Sequence, residues 1–495
     1  MNEIQLLPQV QDFLQQNHAH FIDGQYYKGH SNTSIPVINP ANEEVVTEIA
    51  NASKADIEAA VFSARSAFKG SWAKTSPYQR GVVLNRLADL IEANGEELAQ
   101  LETLCSGKTI HLSRLFEVSQ SAMFLRYFAG WATKINGETI SPSFPSMADE
   151  KYTAFTRREP VGVVAGIVPW NSSVMIGVWK IAAALVTGCT IIIKPSEFTP
   201  LTMLRLAQLA VEAGLPPGAF NVLNGAGGVG AQLINHPQVS KVSFTGSVPT
   251  GLKVGQAAMA ANLTRVTLEL GGKNAAALLP DVNVDAAVAG LIQSGYVHQG
   301  QVCAAPERVY VPRERLQEVI EKFSVALEQL TIGSPLDESV QFGPLANKPQ
   351  FDKVMECLQV AHQESKVLFG GKALPQPGYF VEPTLLLALS SQDRMLHEET
   401  FGPIITLLAY DDVNELPALI NDSPFGLTAS VWSNDLSGAL RLITEIEAGT
   451  VYVNMHTFID PAVPFGGIKA SGTGREFGSA FIEDYTEIKS VMIRY

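Results

Sequence analysis

The chain has 495 residues, 46% of them hydrophobic and 17% charged, with a net charge of -14 at pH 7. That length leaves room for about three domains with sizeable cores. The acidic balance, without any block of Lys or Arg, excludes nucleic acid and anionic membrane as main partners and points to a small molecule.

The opening MNEIQLLPQVQDFLQQNHAH has neither the basic nor the apolar region of an export signal. No stretch reaches the length of a membrane span, and Lys180 interrupts the most apolar helical pattern, 174–186. The four cysteines, Cys105, Cys189, Cys303 and Cys357, lack CxxC or zinc-ligand spacing. They read as reduced thiols of a cytoplasmic protein with no metal site.

Residues 21–50 alternate β-prone runs with turn residues (FIDGQYY, PVINPANEEVV), which predicts antiparallel strands over one sheet edge. KADIEAAVFSARSAF and YQRGVVLNRLADLIEANGEELAQLETL then place apolar residues at i, i+3, i+4, the pattern of helices with one buried face. A third helical pattern, 113–135, holds the aromatics of FLRYFAGW. Core packing is their first expectation, and Phe124 is the one that could face a site. Across 137–160 the pattern breaks into GETISPSFPSMADEKYTAFTRREP, which suits a linker or an exposed strand in need of a partner.

Alternation follows: the strand VGVVAGIVPWN, a helix, CTIIIKPSE, a helix, AFNVLNG, a helix, KVSFTGS, a helix and VTLEL. Continuous apolar strands between amphipathic helices indicate an α/β fold with a parallel sheet covered on both faces, a dinucleotide-binding architecture. From Lys273 a second α/β segment of the same type runs to about residue 465.

Chemistry concentrates between Thr267 and Ala305. Glu269 ends a β-branched strand and precedes Gly271 and Gly272, while Cys303 follows Gly300-Gln301-Val302 and precedes another strand. Both stand at junctions, where sites are built. A thiol with a separately placed carboxylate suits nucleophilic capture of a carbonyl and base-assisted attack of water. Taken alone, each has a plainer reading, a small buried hydrophobe and a solvated strand end.

Gly225 to Gly230 spell a literal GxGxxG, but no acidic residue stands about twenty positions on to hold a ribose. Glu197, after the strand CTIIIK, and Lys194 at its end could hold a ribose but read on their own as an exposed pair at a strand end. FTGS supplies a helix N-terminus for a pyrophosphate, where Gly246 permits close approach and Ser247 donates. Asn171 reads on its own as a helix N-cap. Lys180, inside an apolar helix, needs a charged partner.

The segments ELGGKN and GQVC, with PWN, KPSE, FTGS, EETFGP and PFGGIKASGTGRE in this order, resemble the aldehyde dehydrogenase superfamily from about residue 21 to 495. The resemblance implies a Rossmann-like cofactor domain (1–136 and 161–268), an α/β catalytic domain (269–465) and a small β oligomerisation arm (137–160 and 480–495). It also implies NAD as cofactor, an aldehyde substrate and a homo-oligomer, tetramer or dimer. By resemblance Cys303 is the nucleophile, Glu269 the base that activates water, and Asn171 with the Cys303 N–H the oxyanion donors. Lys180 and Glu476 would form a proton path to Glu269. Lys194 and Glu197 would hold the adenosine ribose, Gly246, Ser247 and Trp170 the pyrophosphate, and Glu399 and Phe401 the nicotinamide ribose.

A CoA-acylating relative would lack the carboxylate of ELGG, so hydrolysis is favoured. An idle structural member would not be expected to keep Cys303, Glu269 and Asn171 together. LRYFAGWATKINGETI, REPVGVVAGIVPWN and VNMHTFIDPAVPFGG are closer to bacterial phenylacetaldehyde dehydrogenases than to the family at large. The pocket expected on that basis comprises Phe124, Met175, Ile176, Trp179, Ile459 and Phe465, with medium-chain or broad aldehyde specificity as the alternative. Ser172, Ser173, the APER after the nucleophile and His298 depart from the common pattern and bear on pocket shape.

Overall fold

The apolar strands Val163–Ile167, Thr190–Lys194 and Lys241–Thr245 are buried almost throughout, as strands covered on both faces must be. The computed structural model describes residues 4–16, 18–143 and 150–495. In its eight-stranded sheet Val163–Ile167 pairs in parallel with Thr190–Lys194 on one side and Lys241–Thr245 on the other. Phe220–Val222 and Arg265–Glu269 extend the parallel run outward. The chain therefore reverses direction between Val163–Ile167 and Lys241–Thr245, and a crevice opens beyond their C-terminal ends.

The edges are closed antiparallel. His20–Ile22 and Gln25–Tyr27 cover one side, as expected, and Gly472–Thr473 covers the other by pairing with Leu268 and Glu269. Residues beyond 465 thus return to the first sheet. The strands Ser34–Ile38 and Val45–Ala50 form a separate hairpin.

A second, seven-stranded sheet runs in the order Ser365–Phe369, Thr384–Ala388, Ile404–Tyr410, Pro306–Pro312, Asn274–Leu278, Thr428–Trp432, Thr450–Val453. It is parallel except at Ser365–Phe369. A third sheet joins Thr139–Ile140, Tyr152–Pro160 and Thr486–Arg494, the last two in register over nine residues. Of the predicted arm, residues 144–149 lie outside the described residues.

Three details differ from the sequence reading. The pattern 78–104 is two helices, Pro77–Ala93 and Gly95–Ser106, because Asn94 leaves helical geometry and returns its side chain to the Leu90 carbonyl. The pattern 113–135 begins as a π-helix, Ser113–Ser119, and its α-helix ends at Ala129. Residues 480–485 are not part of the arm's sheet, since Phe481 and Tyr485 are buried in the core and the strand starts at Thr486. Among the described residues no helix is long and apolar enough to cross a membrane, and no His, Cys, Asp and Glu cluster could hold a metal.

Candidate active site

The crevice at the reversal point brings PWN and FTGS together, because each follows the C-terminal end of one of the two central strands. After Asn171 the helix Ser173–Thr187 is buried along its whole length. Its N-terminus is held by Glu117, whose Oε2 accepts from the Val174 and Met175 N–H groups at 3.1 and 2.9 Å. Glu117 in turn pairs with buried Lys108, and this use of the carboxylate accompanies the π-helical winding around it. The N-cap position is Ser172, so Asn171 stands one residue outside the helix and does not cap it. Its Nδ2 donates to the Gln301 carbonyl at 2.9 Å, which ties the first sheet to the loop before Cys303.

Cys303 sits between the short helix Val297–Gly300 and the strand Pro306–Pro312, as its flanking residues predicted. It is half-buried, whereas Cys105 and Cys189 are buried and belong to the core. Desolvation, reinforced by the charges of Glu269 and Glu399, pushes its thiol up to about 12. Glu269, the last residue of its strand, is 4% exposed, and neither carboxyl oxygen has a partner. Burial, with the Glu476 charge added, holds it well above the usual carboxylate range, while Lys180 and Arg475 act in the opposite sense. Both shifts favour the protonated forms, and removing one proton from the pair creates either a thiolate or a base.

Behind Glu269, Lys180 Nζ lies 2.8 Å from Glu476 Oε1 and 3.0 Å from Ser243 Oγ, the pairing that its position in an apolar helix requires. Glu476 is placed by an antiparallel bridge to Phe465.

The residues expected to contact the cofactor gather along the crevice. Lys194 and Glu197 form a pair at 3.1 Å. Ser247 is the N-cap of the helix Val248–Asn262, but its Oγ donates to Thr250 Oγ1 at 3.0 Å instead of accepting from a helix N–H, which leaves the leading N–H groups without a side-chain cap. A Cβ on Gly246 would stand 2.6 Å from the Phe244 ring, so glycine is required there by close packing. Gly227 and Gly228, in contrast, have nothing within 4 Å of an added Cβ and open onto space.

Glu399 Oε1 accepts from Gly272 N–H at 2.9 Å, and desolvation raises its pKa to about 7. Phe401 adopts φ 52, a conformation unusual for its type, and Trp170 meets its ring edge-on at 5.5 Å. Trp170 therefore stands at the Phe401 end of the crevice.

Sequence reasoning missed the groups that impose this geometry. Glu307 accepts from the Thr400 and Phe401 N–H groups at 2.9 and 2.8 Å and pairs with buried Lys273 at 2.5 Å. Gln350 donates to the carbonyls of both loop residues. The detectable signal was a Glu and a Lys inside otherwise apolar strand ends.

A cavity of about 1120 Å³ opens beside this site. Ser172, Met175, Val302, His298 and Ile459 line it. Phe124, Ile176, Trp179 and Phe465 are not among its lining residues. They are 2–4% exposed, and the three rings cluster around Phe477, with centroids 5.0, 4.8 and 6.4 Å from it. Ile176 and Trp179 sit on the helix Ser173–Thr187, whose apolar pattern hides the face that meets the cavity, while the expectation for Phe124 and Phe465 comes from the subgroup resemblance. The two serines also part company. Ser172 lines the cavity, whereas Ser173 is buried and donates to the Thr199 carbonyl at 2.8 Å.

The profile of the aldehyde dehydrogenase family matches residues 26–491. A phenylacetaldehyde dehydrogenase of Pseudomonas fluorescens is 43% identical over 99% of this chain and 98% of the relative. Cytosolic aldehyde dehydrogenase 1 of the rat is 39% identical over 96% and 94%. Among solved structures, an NAD+ complex of an aldehyde dehydrogenase from Bacillus cereus superposes with a TM-score of 0.96 at 38% identity, covering 99% of both chains. Likeness of this extent in sequence and in fold, continuous through both sheets and the crevice between them, has one reading: the chain belongs to the aldehyde dehydrogenase family.

Proposed function

We propose that the protein oxidises aldehydes to carboxylic acids with NAD, arylacetaldehydes being preferred. The observation that carries the chemistry is the half-buried Cys303 thiol within electrostatic reach of the unpartnered, buried Glu269 carboxyl. Cys303 Sγ bonds to the aldehyde carbon as its proton passes to Glu269. The oxygen, now an anion, accepts from Asn171 Nδ2, which has a second N–H beside the one on Gln301, and from the Cys303 N–H. NAD, when bound, takes up the hydride released as the C–H bond breaks. Cys303 is then held as a thioester. Glu269, its proton returned through Lys180 and Glu476, removes a proton from water as that water attacks, and cleavage of the C–S bond frees the acid and the thiolate.

The crevice suits the dinucleotide. N–H groups left uncapped at Ser247 can meet a pyrophosphate, while Lys194 with Glu197, and Glu399, can hold the two riboses. Trp170, packed on Phe401, belongs on this reading nearer the nicotinamide than the pyrophosphate. Glu197 would face a 2′-phosphate with like charge. We expect kcat/KM for NAD to exceed that for NADP by about tenfold or more, a gap of some 1.4 kcal/mol that Glu197→Gln should narrow. Equal values for the two cofactors in the unmodified protein would remove Glu197 from the ribose site.

Support for arylacetaldehydes comes from the Pseudomonas relative and from a cavity that a two-carbon aldehyde would leave largely empty. Burying about 100 Å² of ring, at about 25 cal/mol per Å², favours phenylacetaldehyde over acetaldehyde by roughly 50-fold in kcat/KM. Paired competition assays test this. Acetaldehyde or hexanal oxidised more efficiently than phenylacetaldehyde would point instead to a broad or aliphatic specificity, which the polar Ser172 wall and the cavity's size would accommodate.

We further propose a homo-oligomer formed through the small sheet. Thr486–Arg494 ends its strand order and presents Ile488, Met492 and Ile493 to solvent, features that a second copy would cover.

A further inference from the structure

The turn that carries Cys303 is held with unusual completeness. Five successive carbonyls, from Gln301 to Ala305, each accept a hydrogen bond. Gln301 is met by Asn171, Val302 by the Ala305 N–H at 2.9 Å, and Ala304 by Thr457 Oγ1 at 3.1 Å and Thr428 Oγ1 at 3.3 Å. The remaining two, on Cys303 itself and on Ala305, depend on one side chain. Asn274 Nδ2 donates to them at 2.6 and 2.8 Å. Its Oδ1 accepts from the Thr428 N–H at 3.0 Å, which leaves no part of the amide idle.

Asn274 is 3% exposed and begins the strand Asn274–Leu278, five residues after Glu269. It therefore spans the turn that follows the carboxylate and the turn that bears the thiol. The packing around it explains Gly272. A Cβ there would lie 2.7 Å from Asn274 Oδ1 and 3.1 Å from the Cys303 carbonyl. Only an amide offers two donors and one acceptor from a single planar group of this size. Aspartate has the same shape but would set a carboxylate against two carbonyl oxygens, and serine can reach one of them at most.

We propose that Asn274 is the positioning residue of the reaction: its amide sets the backbone at Cys303 so that Sγ and the Cys303 N–H converge on one carbonyl group. This rests on the reading of Cys303 as nucleophile. Addition of sulfur and capture of the oxygen must occur at once, so a displacement of about 1 Å in this turn costs about 100-fold in rate. Alkylation of the thiol by iodoacetamide needs no oxyanion donor and tolerates the displacement.

The test compares Asn274→Asp, Asn274→Ala and Asn274→Ser with the unmodified protein by stopped-flow NADH formation, NAD titration, iodoacetamide inactivation and thermal melting. The expected result is a burst rate about 100-fold lower in the Asp and Ala variants and partly restored in the Ser variant. NAD affinity and the alkylation rate should stay within about threefold of the unmodified protein. A burst within threefold of normal in both the Asp and Ala variants overturns the proposal. So does a loss of NAD affinity, alkylation or melting temperature in step with the burst, which would mark Asn274 as a structural residue. Cys303→Ala, assayed alongside, separates the two claims, since turnover retained there defeats the nucleophile assignment whatever Asn274 does.

Discussion

Cys303→Ala is expected to lower aldehyde oxidation by at least about 10⁴-fold, because no other group at the site can form the thioester. Cys105 and Cys189 are buried in the core of the first sheet, and Cys357 packs in a separate cluster in the second. None can substitute. NAD binding should survive, since the residues proposed to hold the dinucleotide lie on the Lys194, Gly246 and Glu399 segments. Melting should also change little, because Cys303 is only half-buried and its side chain leaves a small void. Steady-state NADH formation and NAD titration on the same preparation check both halves. Substantial turnover in the alanine variant would show that another thiol carries the reaction.

Glu269→Gln should fail differently. Glu269 takes the thiol proton as well as activating water, so the NADH burst should be slower than normal yet still approach one per site, because hydride release itself does not need the base. Turnover after the burst should be slower by about 10²- to 10³-fold, the usual contribution of a general base. The pH response supplies a second signature. Glu269 is held above the usual carboxylate range, so it is protonated and ineffective at low pH and becomes a base as pH rises through its own pKa. Hydrolysis by the unmodified protein should therefore still increase with pH above the range in which an ordinary carboxylate titrates, and the glutamine variant should lose that dependence. Rapid-quench measurement of acyl-enzyme decay at several pH values decides the matter. Decay as fast as normal in the variant would remove Glu269 from the base role.

In the proposed mechanism the Lys180 and Glu476 pair carries protons to and from the deeply buried Glu269 carboxyl. It places a cation and an anion behind Glu269 without a hydrogen bond to either of its oxygens. Glu476 raises the Glu269 pKa and Lys180 lowers it, so the charge state of the pair tunes the base.

The positions of Cys303 and Glu269 at the ends of elements were legible from the residues themselves. Glycines and small residues interrupt the apolar runs on either side, and those interruptions are local facts. So was the first sheet, since strands buried on both faces read as unbroken apolar segments between amphipathic helices. The charge of Lys180 within an apolar helix announced a partner, although the partner's identity came only from resemblance to the family.

What tertiary structure alone decided has a common physical origin. Hydrogen bonds made by one side chain to a distant backbone leave no periodic trace in the chain. Asn274 reaches carbonyls 29 and 31 residues away, Glu307 reaches N–H groups 93 and 94 residues on, and Glu117 caps a helix that begins beyond residue 170. The pocket eluded the sequence for a related reason. Hydrophobic pattern separates inside from outside, but it does not tell a side chain facing an internal cavity from one facing the core. Met175 and Ile459 face the cavity, while Phe124, Trp179 and Phe465 close on Phe477, and only the packing of helix against loop makes that choice.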